Sequence, residues 1–114
     1  MADISFFCRL DGPEFDPMPF LEAKQFVILE YQADAALNMR YIQFTSQKKR
    51  FDTFIRQLYT VRKLIINSKT TSRVVHLHIP YEAQCNWEFS PKIIDIISKL
   101  DLTLTMSCEM VEES

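Results

Sequence analysis

Residues 90 to 110, Ser90-Pro91-Lys92-Ile93-Ile94-Asp95-Ile96-Ile97-Ser98-Lys99-Leu100-Asp101-Leu102-Thr103-Leu104-Thr105-Met106-Ser107-Cys108-Glu109-Met110, carry two hydrophobic periods in succession with no linker between them. Ser90 is an N-cap residue type, and Pro91 has the fixed φ suited to the first helical position. A helix therefore starts there. Ile93, Ile94, Ile96, Ile97 and Leu100 fill one side of it, and Lys92, Asp95, Ser98 and Lys99 the other. After Asp101 the period changes to two: Leu102, Leu104, Met106, Cys108 and Met110 point one way, Thr103, Thr105, Ser107 and Glu109 the other. The stretch reads as a helix feeding a half-buried strand.

Working outward, the same two periods account for the rest of the chain. Ile4, Phe6, Cys8 and Leu10 alternate with Ser5, Phe7 and Arg9, which predicts a first strand ended by the turn signal Asp11-Gly12-Pro13. Pro13, Pro17 and Pro19 leave room only for a short helix, anchored by Phe15, Phe20 and Leu21. Residues 25–31 and 40–45 read as an antiparallel pair of strands, with a bulge or extra turn between them at 32–39. Phe51, Phe54, Ile55, Leu58, Val61 and Ile65 recur at three and four residues, predicting one long helix over 46–66. A strand over 72–79 follows, with Val75, Leu77 and Ile79 on one face and Val74, His76 and His78 on the other. The predicted class is α+β: a mostly antiparallel sheet of about five strands with two main helices on one face, in the order β-α-β-β-α-β-α-β. The first six elements suit a split βαβ unit of ferredoxin-like type, with the last helix and strand appended.

At 114 residues the chain is read as one domain, and 47% hydrophobic residues exclude a disordered one. Gly12 is the sole glycine, so phosphate loops, dinucleotide fingerprints and nucleophile elbows cannot be built. No apolar run reaches bilayer length, and Met1-Ala2-Asp3-Ile4 lacks the features of a signal peptide, which makes the cytosol the expected compartment. Cys8, Cys85 and Cys108 are odd in number and widely spaced, and read as unpaired thiols. The net charge of −2 hides a division: Lys48, Lys49, Arg50, Arg56, Arg62, Lys63, Lys69 and Arg73 face only Asp52 between positions 48 and 73, while the remainder is acidic.

Three sets of residues are candidates for function. Asp11, Glu14 and Asp16 in the first loop and Glu82, Trp87 and Glu88 in a later one would form a partner-binding acidic patch if the two loops converged; Trp87 would serve as an anchor, or else as a lid over the core. Lys49, Arg56, Arg62 and Lys63 on the helix over 48–66 form an alternative, nucleic-acid-binding set through phosphate contacts. His76 and His78 share a strand face and can both approach one ion, but a third ligand would have to come from elsewhere, such as Cys85 or Glu82, and spacing does not nominate it, so no metal site and no cofactor is assigned. No catalytic residue emerges, and the expectation is a protein that is not an enzyme.

The run from Trp87 through Ser107 resembles the closing part of a family of small bacterial domains of unknown function. In that family a Ser-Pro helix cap leads to an apolar helix, a short leucine-plus-polar junction and an alternating last strand. Asp101 stands here where the junction usually has glycine. In kind, small α+β domains of this sort also resemble the immunity proteins of bacterial polymorphic toxin and contact-dependent inhibition systems. That resemblance implies stoichiometric binding and neutralisation of a cognate protein toxin in the cytosol, with acidic loops suited to a basic nuclease; no membrane partner is expected, since no apolar run reaches bilayer length.

Overall fold

The structure, a computed structural model, describes residues 4–34, 36, 40–81 and 87–110. In chain order these form β1 (Ser5–Asp11), the single turn α1 (Met18–Leu21), β2 (Phe26–Gln32), β3 (Tyr41–Ser46), α2 (Phe51–Thr60), α3 (Arg62–Ile66), β4 (Ser72–Tyr81), α4 (Pro91–Lys99) and β5 (Thr103–Met110). The five strands make one sheet in the order β2-β3-β1-β4-β5. β1 lies between β3 and β4 and is antiparallel to both, as β2 is to β3. This is the split βαβ arrangement expected of the first six elements.

The period-two pattern explains why the sheet closes on one side. Phe6, Cys8 and Leu10 of β1, Ile42 and Phe44 of β3, and Val75, Leu77 and Ile79 of β4 share a face and are all buried. Against them pack Phe51, Phe54, Ile55 and Leu58 of α2, Ile65 of α3, and Ile93 and Ile97 of α4. Phenyl rings dominate the contact. Phe54 stacks on Phe6 with centroids 5.1 Å apart and meets Phe44 and Phe26 edge-on at 6.1 and 6.2 Å. Each such ring removes enough hydrocarbon from water to contribute about 1.5–3 kcal/mol.

The closing stretch folds as its sequence dictates. The Ser90 hydroxyl accepts a hydrogen bond from the Ile93 amide at 3.3 Å, capping α4. At the other end Asp101 takes φ 52°, and the amides of Leu102 and Asp101 reach the carbonyls of Ile97 and Ser98 at 3.0 Å each. That is a Schellman stop with aspartate in the place glycine usually fills. Arg73 seals the same region. Its guanidinium donates to the carbonyl of Leu100 at 3.0 Å, that of Ile66 at 3.4 Å, and the Thr70 hydroxyl at 2.7 Å, so one cation caps the C-terminal ends of α4 and α3.

Among the described strands the sheet is mostly antiparallel, as expected, and β5 is parallel to β4, because α4 returns the chain across the sheet before the last strand begins. Two expectations are corrected. The long helix over 46–66 is broken at Val61, where φ is −108° and ψ 25°. The Thr60 hydroxyl bonds back to the Gln57 carbonyl at 2.6 Å, and Arg62 takes the Tyr59 carbonyl at 3.1 Å, so side chains hold two carbonyls near the break. A bulge lies inside β2, between Ile28 and Glu30; of the connection over 32–39, where a bulge or extra turn is expected, residues 35 and 37–39 lie outside the described residues. Cys108 is disulfide-bonded and not an unpaired thiol, whereas Cys8 is free and buried; Cys85 lies outside the described residues.

Candidate functional site

Of the two loops nominated for partner binding, the later one lies mostly outside the described residues, which leave out 82–86. Asp11 ends β1 opposite Ser72, the first residue of β4, whereas Glu88 follows the far end of that ten-residue strand. Glu82 is outside the described residues. Trp87 packs half-buried against the core, as a lid does, and Glu88 is exposed. Glu14 and Asp16 line a groove of about 330 Å³ with Lys63 and Lys69, so acids from one nominated set share a groove with a cation from the other. Lys49 precedes α2, Arg56 is exposed on it, and Arg62 folds back so that its guanidinium lies 4.7 Å from the Tyr59 ring centroid. The broken helix leaves no single straight basic face.

What the sheet does bring together lies on its other side. Among the described residues no helix covers the face opposite the core, and the odd-numbered positions of β1, β3 and β5 and the even ones of β4 come out on it in register. On β4 and β5 the register sets His76 beside Thr105 and His78 beside Ser107. The side chains form a continuous chain. His76 Nδ1 is 2.6 Å from Thr105 Oγ1 and its Nε2 is 3.0 Å from Ser107 Oγ; His78 Nδ1 is 2.7 Å from the same Ser107 Oγ and its Nε2 is 3.1 Å from Glu109 Oε2.

The carboxylate end sets the direction for a neutral pair of rings. Glu109 only accepts, so His78 donates from Nε2 and accepts at Nδ1 from the Ser107 hydroxyl. Ser107 oxygen then receives the proton of His76 Nε2, and the Thr105 hydroxyl donates to His76 Nδ1. Every hydroxyl and ring nitrogen in the chain is matched by one consistent set of tautomers.

On the β1 and β3 side of the same face a second network is centred on Arg9. The guanidinium lies 4.1 Å from the Tyr41 ring centroid, with Asp11 and Gln43 each at 3.4 Å. The Tyr41 hydroxyl donates to Glu30 at 2.7 Å. That hydrogen bond, with a smaller part from burial and from the Glu30 charge, holds the phenol above its ordinary value of 10.0, and Arg9 opposes the shift. Between the networks lie Phe7, whose ring meets that of His76 at 5.3 Å, and the bulge residue Leu29, half of it exposed. Ser5, Phe6, Phe7, Leu29, His76 and His78 line a shallow depression of about 390 Å³ there.

Hydroxyl, imidazole and carboxylate in sequence is also the order of a hydrolytic relay. Here the ring stands on an open strand face, and the depression beside it is shallow and lined largely by hydrocarbon. The arrangement is better suited to holding surface groups in fixed positions than to enclosing a reacting molecule. The residues that sequence reading missed are Thr105, Ser107, Glu109, Phe7, Leu29, Arg9, Tyr41 and Glu30. Their alternation was visible; the register that joins them was not.

Comparison of the chain with family models, with curated proteins and with solved structures returns no match. The resemblance of residues 87–107 to a bacterial domain family thus rests on the residues alone.

Proposed function

We propose that this chain is a non-enzymatic binding protein of the immunity type, which neutralises a cognate bacterial toxin domain by docking it on the open face of the sheet. The observation that carries the reading is that uncovered face, on which two side-chain networks hold charged and aromatic groups in place around a shallow apolar depression. Pre-set groups bind with less ordering cost than loose ones. Its described charges, Arg9 against Asp11, Glu30 and Glu109, favour a basic partner, and such complementarity speeds encounter and rejects wrong partners.

The test is co-expression with the product of the neighbouring reading frame. Growth arrest by that product and rescue by this chain support the reading. Leu29→Arg and Glu109→Lys, both at exposed positions, should abolish rescue while leaving the circular dichroism spectrum unchanged. A neighbour of housekeeping function, or rescue untouched by either substitution, overturns it.

A second reading, a nucleic-acid-binding accessory protein, is favoured by one observation: Lys48, Lys49 and Arg50 are consecutive and exposed just before α2, with Arg56 exposed one turn into it. That reading requires affinity for RNA or DNA that falls steeply with added salt and is lost in Arg56→Glu with Lys49→Glu.

A further inference from the structure

The two edges of the sheet differ in a way that the proposed docking face does not use. β2, at one edge, is interrupted by the bulge at Leu29 and carries Glu30 beside it. A bulge and a charge are among the devices by which an edge strand is kept from pairing with another chain. β5, at the other edge, has no bulge. It pairs with β4 in unbroken register from Val74 opposite Thr103 to Tyr81 opposite Met110, and over its eight residues it holds no proline, no lysine and one charge, Glu109. The imidazole and hydroxyl chain fixes it to β4 from the open face. Its outer side has no neighbouring strand among the described residues.

Exposed hydrocarbon lies on this edge, as it does on β2 at Val27, Leu29 and Tyr31. Met106 lies opposite the buried Leu77, on the helix side of the sheet, yet is 48% exposed; Met110 is 60% exposed. Ile94 of α4 is 43% exposed although its neighbour Ile93 is fully buried. In the right-handed crossover that β-α-β units adopt, the flank of α4 bearing Ile94 turns toward β5, and the one bearing Ile96 turns back over the sheet.

We infer that β5 pairs antiparallel with β5 of a second copy of this chain, joining the two sheets edge to edge. The strand is self-complementary. Pairing about Met106 sets Glu109 against Thr103 and Ser107 against Thr105 on the open face, and the disulfide-bonded Cys108 against Leu104 on the other. No charge meets its like, and each face continues as it began. A two-fold axis normal to the sheet keeps both helix layers on one side and brings the two Ile94 flanks toward each other, covering the apolar groups that a lone chain leaves in water. An unrelated extended segment would find the same backbone edge, but it would have to supply this alternation by chance.

Light scattering on the full chain as it elutes from a sizing column tests the inference. The mass should approach twice 13.5 kDa as concentration rises. Met106→Lys, which places a charge at the centre of the edge on an exposed position, should return the single-chain mass at every concentration with the spectrum of the folded protein. Leu29→Lys, on the opposite edge, should leave the doubled mass unchanged. A single-chain mass for the unaltered protein at the highest concentration overturns the inference, as does a dimer that survives Met106→Lys or dissolves with Leu29→Lys.

Discussion

The two faces of the sheet are built from alternate residues of the same strands, yet they are held by different forces. On the helix side Phe6, Phe44 and Phe54 interlock with no buried charged residue among the described ones. On the open side Arg9, Tyr41, His76, His78 and Glu109 are joined by directional bonds in contact with water. The first face sets stability, because removal of hydrocarbon from water scales with area. The second sets geometry, because solvated hydrogen bonds contribute little net free energy and still restrict where a group can stand. Substitutions should therefore separate the two: large losses of stability from the core side, small losses with local changes of position from the open side.

The largest effect belongs to Phe54→Ala. That ring touches three others, and removing it leaves a cavity that neighbours from both strands and helices cannot fill together. A loss of about 3–5 kcal/mol is expected from urea unfolding. A loss below about 1 kcal/mol would mean that the aromatic cluster is not the seat of stability. Next comes Arg73→Met, which keeps the stem and removes the cation from two helix ends. Hydrogen bonds from a charged group are worth about 1.5–3 kcal/mol; exposure of part of the Arg73 side chain places the expected loss toward the lower figure. Hydrogen exchange should rise at the ends of α3 and α4 first.

Cys8 gives the core side a signature in pH. Complete burial pushes its thiol far above the ordinary value of 9.0, so the fold retains the proton that the unfolded chain gives up. The contribution is present below about pH 9 and is lost as pH rises above it, by about 1.4 kcal/mol per pH unit for one proton. The measurable quantity is the difference between the native chain and Cys8→Ala, since other groups titrate in the same range. The variant should lose stability less steeply through about pH 9 to about pH 11. Equal slopes would place Cys8 in contact with water.

How far the sequence could carry this comparison differs between the two faces. Phe6, Cys8 and Leu10, or Val75, Leu77 and Ile79, announce a buried face by alternation alone, because burial selects for residue type one position at a time. The stop at Asp101 was legible for the same reason: a local change of period marks it. His76, Ser107 and His78 were legible only as polar positions. Their meeting depends on β5 running parallel to β4 in one particular register, and no local preference encodes that. The break at Val61 was hidden because Leu58, Val61 and Ile65 keep the helical spacing straight through it, and that spacing does not encode the carbonyls that Thr60 and Arg62 bind.

Within the open face, Ser107→Ala should cost about 1 kcal/mol, since water can replace the lost hydroxyl, yet it severs the chain at its middle. The nitrogen resonances of the two rings report this directly. In the native chain both rings should carry their proton on Nε2; without Ser107 that preference should relax at His76, whose Nε2 proton loses its acceptor, while His78 keeps its bond to Glu109. An unchanged tautomer at His76 would show that Ser107 does not orient it.

The smallest effect lies at Tyr41, where no change of stability is needed to see it. The hydrogen bond to Glu30 keeps the phenol protonated beyond its ordinary range, and the nearby Arg9 cation pulls the other way. A raised phenol favours the fold while protonated, so its contribution is present below about pH 10 and is lost as pH climbs through the folded value. In an absorbance titration Tyr41 should ionise later than a free tyrosine. Glu30→Ala should bring it down, and Arg9→Gln should push it further up. Opposite shifts from two neighbours on one strand-crossing network would show that the Arg9 and Glu30 side chains act on the same phenol in solution. Shifts of the same sign would mean that the open face lacks the fixed geometry on which its proposed role in docking depends.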